Sequence, residues 1–170
     1  MDATHITAFV NAAQGVFQTM LQLPVEIGTP QYKQSEQSGY DVSGIIGMSG
    51  GVEGAVILSF PTTTAERVVS LFTGETISCE HEDFADAVGE LVNMISGSAK
   101  AQFDGEPVNI SCPSVVMGHD HIVIGRKDAV RIVIPCSSDC GQFALEVAIR
   151  TLAGAAGQSH HSHTAGAAEA

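Results

Sequence analysis

An internal repeat constrains the fold more than any other feature, because two related segments must fold into two related units. The segment AFVN at residues 8–11 matches ELVN at residues 90–93, at an offset of 82 residues. Further on, PVEIGTP at 24–30 matches PVNISCP at 107–113, at an offset of 83. Two matches in the same order at nearly the same offset predict two related halves, although coincidental helical patterning remains the alternative.

Apolar spacing predicts the elements of each half. Helices are expected at 4–21, 64–73 and about 83–103. Strands are expected at 25–34, 40–48 and 52–60, and then at 108–117, 121–134 (with a possible break at 126–128) and 142–149. We therefore predict an α+β fold in two layers. It consists of an internal pseudo-twofold repeat of a helix plus a three-stranded antiparallel unit, with the long helices on one face of a sheet.

The chain of 170 residues suits one domain, predicted at residues 1–152. From residue 153 onwards the sequence is rich in Ala, Gly, His and Ser without periodicity, which predicts a disordered tail at 153–170. Its three histidines (160, 161 and 163) could bind a metal ion weakly, but a solvated tail is the simpler interpretation.

Charge excludes several classes of partner. With 7 Lys and Arg against 19 Asp and Glu, the net charge is -12, so no basic stripe exists to neutralise the phosphates of nucleic acid. Anionic membrane surfaces are disfavoured for the same reason, and protein partners or cationic ligands stay open. No apolar run reaches the length of a membrane span, and the N-terminus lacks signal-peptide features, so we expect a cytoplasmic protein.

The four cysteines are expected to be reduced thiols in that compartment. Cys136 and Cys140 lie four positions apart and do not form a C-x-x-C motif. His119 and His121 would share a face of a strand, but no third ligand follows at a convincing spacing. A metal or redox module is therefore a minor hypothesis, and no metal site is predicted.

The segment DAVGELVNMISGSAK at residues 86–100 predicts an amphipathic helix with an unusual polar side. At about 100° per residue, one narrow stripe opposes the apolar face. It carries Asp86, Glu90, Asn93 and Gly97. Gly89 and Gly97 should each cost the helix about 1 kcal/mol relative to alanine. In the first helix, Ala8, Asn11 and Gly15 are likewise expected to lie away from the core.

The stripe suits a partner's active site. Gly97 leaves room for another backbone, and the Glu90 carboxylate can accept a hydrogen bond from an ammonium group. The Asn93 amide has both a donor and an acceptor, so it can hold a water molecule at a chosen angle. An ordinary solvated helix face explains the same residues, and chemistry alone leaves that alternative open.

The pattern Asp86-x-x-x-Glu90-x-x-Asn93, followed by Pro113 in PSVV, resembles the signature of the CheC/CheX/FliY phosphatases of bacterial chemotaxis. The resemblance covers about residues 3–150 and is greatest to the CheX type, which carries one E-x-x-N element. Ala8 in the first copy agrees with that type.

The resemblance implies an aspartyl-phosphate phosphatase that acts on a phosphorylated CheY-like receiver domain, and a homodimer. Glu90 would pair with the partner's lysine and Asn93 would aim the attacking water, with Asp86, Gly97 and Pro113 as binding residues. Mg²⁺ would belong to the receiver, so the chain needs no cofactor of its own. A non-catalytic binding or scaffold module of a two-component or flagellar switch system is the alternative.

Overall fold

The structure is a computed structural model that describes residues 3–33, 40–103, 107–119, 121–123 and 129–152. The predicted tail at 153–170 and the possible strand break at 126–128 lie outside the described residues. Within the described part of the chain, none of the helices combines the length and the apolar character needed to cross a membrane.

Within the described residues, three helices form where the apolar periodicity predicts them. They are α1 (Ala3–Leu21), α2 (Thr62–Thr73) and α3 (Phe84–Lys100). Each buries one apolar stripe, which in α1 includes Phe9 and Phe17. Gly74 ends α2, as its position in the sequence predicts, with a left-handed φ of 77° and an N–H that donates to the Ser70 carbonyl. Glycine adopts this conformation without the steric cost that a side chain would bring.

In the part of the chain that the structure describes, eight strands form one antiparallel sheet. In chain order they are β1 (Glu26–Ile27), β2 (Gln31–Tyr32), β3 (Val42–Gly50), β4 (Val52–Phe60), β5 (Val108–Ile110), β6 (Ser114–Met117), β7 (Arg131–Ser138) and β8 (Gly141–Thr151). Across the sheet the order is β1, β7, β8, β4, β3 and β5, with β2 also paired to β7 and β6 to β3. The strands predicted at 25–34 and 108–117 are therefore each two short strands.

The two halves exchange their short strands. Glu26 of β1 pairs with Ser137 of β7, and 83 residues later Asn109 of β5 pairs with Ser49 of β3. In the same way β2 pairs with β7 and β6 with β3, while the hairpins β3–β4 and β7–β8 meet where β4 pairs with β8. The predicted pseudo-twofold repeat is confirmed, and each half completes the sheet of the other.

The strand predicted at 121–134 is wrong at both ends. Residues 121–123 are not in a strand, and β7 begins at Arg131 and continues through Pro135. Proline usually breaks a strand because it has no N–H to donate. On this edge the Pro135 carbonyl accepts the N–H of Gly28 at 2.7 Å. A methyl group at Gly28 would stand 3.2 Å from both Pro135 Cβ and the Pro135 carbonyl oxygen, so the glycine lets the two segments come close enough for this bond.

The helices cover one face of the sheet. Phe143 and Leu145 alternate along β8 and are buried on that face, where Phe143 stacks on Phe17 of α1 with ring centroids 4.9 Å apart. Helix α3 lies over β3, because Gly44 leaves room there for Val88 and Val92. These contacts fix α3 firmly above the sheet.

The opposite face holds a charged cluster near the centre of the pseudo-twofold. Glu146 of β8 is buried there and lies opposite Ile57 of β4 in the backbone register of the central strand pair. Its carboxylate accepts hydrogen bonds from Lys33 Nζ at 2.8 Å and from Arg131 Nε at 2.6 Å. A buried carboxylate needs such partners, so the cluster ties β7 and β8 to the residue that follows β2.

Candidate functional site

Helix α3 presents a polar stripe above the core. Asp86 and Glu90 are exposed, and Asn93 and Gly97 are half-buried. The opposite side is buried, and the apolar residues that the periodicity places there are Phe84, Val88, Leu91, Val92, Ile95 and Ala99. The helix therefore has the orientation that its sequence predicts.

An open depression of about 450 Å³ lies beside the first half of this stripe, and we call it the Glu90 depression. It is lined by Ala85, Asp86, Gly89, Glu90, Pro113 and Val115. Three of the five predicted site residues thus come together, although Pro113 is 23 positions after Glu90. Asn93 and Gly97 follow on the same stripe, one and two helical turns beyond Glu90, and do not line the depression.

The wall opposite α3, formed by Pro113 and Val115, is fixed to strand β3. The Ser111 N–H donates to the Gly47 carbonyl at 2.9 Å, and the Gly47 N–H donates back to Ser111 Oγ at 2.9 Å. Ser111 Oγ also donates to the Cys112 carbonyl at 2.7 Å. These bonds fix the connection between β5 and β6 to strand β3, so the position of Pro113 relative to α3 is fixed as well.

Gly89 faces this wall, which explains a glycine for which the sequence offers no role. A methyl group at Gly89 would stand 3.2 Å from Pro113 Cγ and 3.4 Å from its Cβ. At Gly97, by contrast, such a group would meet nothing within 4 Å. The first glycine is packed tightly against Pro113 inside the molecule, and the second leaves open space on the surface.

Glu90 and Asn93 are available to a partner. Within the described residues, neither side chain makes a hydrogen bond or an ion pair. The Asn93 amide cannot accept a proton at neutral pH, so Asn93 itself is not a general base. The pair can bind a cation through the carboxylate and orient a water molecule through the amide.

The matching face of α1 differs in a way that the sequence does not show. Ala8 was expected to lie away from the core, but it is 4% exposed and therefore buried, which corrects that expectation. Asn11 Nδ2 donates to Gln102 Oε1 at 3.4 Å, and Gln102 Nε2 lies 3.4 Å from the Ala8 carbonyl. Gln102, two residues beyond the end of α3, thus covers the first copy. That copy has Ala8 in place of the carboxylate, and its Asn11 amide already has a partner.

The histidines and cysteines do not assemble into a second centre within the described residues. His119 and His121 were expected on one face of a strand, but neither is in a strand: His119 Nδ1 bonds Asp41 at 2.8 Å, and His121 Nε2 bonds Ser43 at 2.8 Å. No group of three metal-ligating side chains occurs in this part of the chain, and His160, His161 and His163 lie outside it.

All four cysteines are free thiols in the structure. Burial raises the pKa of Cys136 to about 12, and burial also raises the pKa of Cys140 above its usual value. A thiol with a raised pKa is a poor nucleophile and a poor metal ligand near neutral pH. Neither residue has the properties of a reactive cysteine.

Comparison with known proteins gives consistent matches to one family. The family model described as "Chemotaxis phosphatase CheX" matches residues 42–137. The CheY-P phosphatase CheX of Thermotoga maritima is 32% identical over 123 residues, which cover 71% of this chain and 79% of that protein.

Solved structures agree with this match. A CheC-like superfamily protein from Shewanella sp. PV-4 has a TM-score of 0.81 at 30% identity, with 88% of this chain and 99% of that chain covered. The CheX–CheY–BeF3–Mg complex from Borrelia burgdorferi matches with a TM-score of 0.72 at 28% identity, over 86% of this chain and 97% of that chain. From its sequence and its fold, this chain belongs to the CheX family of chemotaxis phosphatases.

Proposed function

We propose that this protein is a phosphatase that removes the phosphoryl group from the aspartate of a CheY-like receiver domain. The observation that carries the proposal is the pair of Glu90 and Asn93, one helical turn apart on the polar stripe of α3. Glu90 is exposed and lines the Glu90 depression, Asn93 is half-buried, and neither side chain has a partner among the described residues. The Thermotoga maritima relative is named a CheY-P phosphatase, and the Borrelia burgdorferi CheX was solved with CheY.

In this proposal Asn93 supplies the chemistry by position. Its amide enters the receiver's site and holds a water molecule in line with the phosphorus, using its oxygen and its N–H groups together. Fixing the attacking group in this way can contribute about 7–11 kcal/mol in well-oriented reactions, so no general base of this chain is needed. The Mg²⁺ ion belongs to the receiver, and this chain contributes no cofactor.

Glu90 supplies the docking contact. It is exposed on the rim of the Glu90 depression, where a lysine ammonium of the receiver can reach it. Asp86 lies one turn earlier and adds a second negative charge, while Pro113 forms the opposite wall. The half-buried Gly97 gives the receiver's backbone space to approach the end of the stripe.

The test measures phosphate release from a panel of phosphorylated receivers, with and without this protein. We expect the wild type to accelerate release from at least one receiver. Asn93→Ala should reduce the acceleration by about 100-fold or more, because water is no longer oriented. Glu90→Gln should chiefly raise KM, because it keeps the shape of the side chain and removes its charge.

The chain offers a matched control in Asn11→Ala, which removes the same amide from the corresponding position of α1. This variant should retain wild-type activity. Binding of a receiver without faster phosphate release would instead identify a non-catalytic binding module. Equal activity of Asn93→Ala and Asn11→Ala would show that the assigned site is wrong.

We also propose a homodimer and a cytoplasmic location, as the family resemblance and the sequence features imply. Sedimentation at several concentrations tests the first, and fractionation of cells tests the second. A chain that sediments as a monomer at every concentration used for catalysis would contradict the dimer.

A further inference from the structure

We infer that Gly89 is a positioning residue of the proposed phosphatase site, because its missing side chain lets the Pro113 wall stand close to α3. The inference rests on the proposed function and assigns a role to a residue outside the polar stripe. Gly89 lines the Glu90 depression together with Asp86 and Glu90, but it offers no group to a partner.

The contacts show how little space the wall leaves. An added Cβ at Gly89 would lie 3.2 Å from Pro113 Cγ, 3.4 Å from Pro113 Cβ and 3.7 Å from Val115 Cγ2. Carbon atoms in favourable contact are about 3.5–4.0 Å apart, so alanine would force the wall and the helix apart by roughly a few tenths of an ångström. That displacement would open the depression beside Glu90.

Neither side of the depression can yield elsewhere at low cost. The wall is held by the paired bonds between Ser111 and Gly47, and Val115 of β6 is in register with Gly44 of β3. The helix is held on the same strand, because Val88 and Val92 pack against Gly44. Strain introduced at Gly89 must therefore appear where the two sides meet, at the docking surface.

The first half of the molecule shows that the fold does not require this glycine. At the repeat offset of 82, Thr7 of α1 stands where Gly89 stands in α3, just as Ala8 replaces Glu90. Thr7 is exposed, its hydroxyl donates to the Ala3 carbonyl at 3.1 Å, and α1 forms without interruption. The glycine thus occurs with the carboxylate in the second half and is absent with it from the first.

The expected effect is on docking and not on water positioning, because Asn93 does not line the depression. For Gly89→Ala we expect KM for the phosphorylated receiver to rise about tenfold with kcat changed less than about twofold, because the displaced wall misplaces the docking surface while Asn93 keeps its place on the helix. The control is Gly15→Ala on the exposed face of α1, where an added methyl group meets nothing within 4 Å. It should leave kcat and KM unchanged.

A second variant reaches the same wall from the other side. Pro113→Gly keeps Gly89 and removes the wall, so it should also raise KM, and Gly89→Ala should add no further effect in its presence. The melting temperature is recorded for every variant, because a purely structural role would lower it in step with activity.

The results separate the two claims. If the wild-type protein accelerates phosphate release and Gly89→Ala and Gly15→Ala have equal KM values, the inference is overturned and the proposed function stands. The inference would also be overturned if the activity of Gly89→Ala fell in step with its melting temperature while the KM of Pro113→Gly stayed at the wild-type value. A wild-type protein that accelerates no receiver would overturn the proposed function and this inference with it.

Discussion

Asp41 connects three segments at one end of the sheet. Its Oδ2 accepts both the N–H and the hydroxyl of Thr62, each at 3.1 Å, and its Oδ1 bonds His119 Nδ1 at 2.8 Å. Thr62 is the first residue of α2, where a negative charge is favoured by the helix dipole. The Thr62 N–H, followed by the His119 bond, lowers the pKa of Asp41 below its ordinary value of 3.8.

This lowered pKa predicts a pH-dependent contribution to stability. A carboxylate whose pKa is lower in the folded state stabilises the fold above its unfolded pKa, and the contribution is lost as pH falls through the folded pKa. Asp41→Asn should therefore unfold at lower urea concentration than the wild type at pH 7. The difference in urea midpoint between Asp41→Asn and the wild type should narrow below about pH 3.8. A gap that stays constant from pH 7 to pH 2.5 would contradict a role for the charge.

Single residues of the site differ in how far the sequence could predict them. The polar stripe that carries Glu90 and Asn93 follows from helical periodicity, which is local, whereas their proposed roles follow from the family resemblance. The proposed role of Gly89 depends on Pro113, and only the sheet brings these two residues together, so helical periodicity does not predict it. The one signal available was Thr7 at the matching position of the repeat, since a glycine present in only one of two copies points to a local requirement.

At the scale of elements, the seating of α3 on β3 depends on a second glycine. A methyl group at Gly44 would stand 3.0 Å from Val92 Cγ1 and 3.3 Å from both Val88 Cγ1 and the Val88 carbonyl oxygen. The obstacle includes backbone, which cannot rotate away. Strand and helix are therefore as close here as their main chains allow.

We predict that Gly44→Ala destabilises the protein by about 1–3 kcal/mol, the usual cost of an overpacked core. Gly47→Ala in the same strand is the matched control. Its added methyl group would point to the other side and meet Ser111 only at ordinary distances of 3.5 and 3.7 Å. Urea unfolding compares the two, and equal midpoints would show that α3 is not seated in this way.

The elements that the sequence predicts well are those with strong local signals. All three helices, the hairpin of β3 and β4, and strand β8 fall near their expected positions. The early end predicted for β7 has a physical cause: Pro135 normally ends a strand, and here its carbonyl still accepts the N–H of Gly28, which lies close against it. Such compensation between distant residues leaves no mark on the periodicity of either segment.

At the scale of the whole molecule, the exchange of short strands makes the two halves dependent on each other. Strands β1 and β2 have two residues each and pair only with β7, and β5 and β6 pair only with β3 within the described residues. Isolated hairpins are marginal in water, and the short strands of either half would lose their partners on separation. The repeat predicts two similar units, but their strand order in the sheet depends on contacts between distant residues.

This arrangement predicts that neither half folds alone. Fragments 1–80 and 81–152, produced separately, should show no cooperative urea transition, whereas the joined 1–152 chain should unfold in a single step. Mixing the fragments should restore helical circular dichroism, because each supplies the strands that the other lacks. A cooperative transition in either isolated fragment would contradict the prediction.

The attachment of the Pro113 wall to β3 also bears on how such a molecule can evolve. The first half has Ala8 at the position that matches Glu90 and so lacks the docking carboxylate. It nevertheless contains Gly44, against which α3 packs, and Gly47, to which the Pro113 wall is bonded through Ser111. If one unit was duplicated and the first copy then lost its site residues, that copy would still be indispensable, because its strand β3 supports the helix and the Pro113 wall of the second copy. Deleting the first half, which carries Ala8, would therefore also abolish the proposed site in the second half, which carries Glu90.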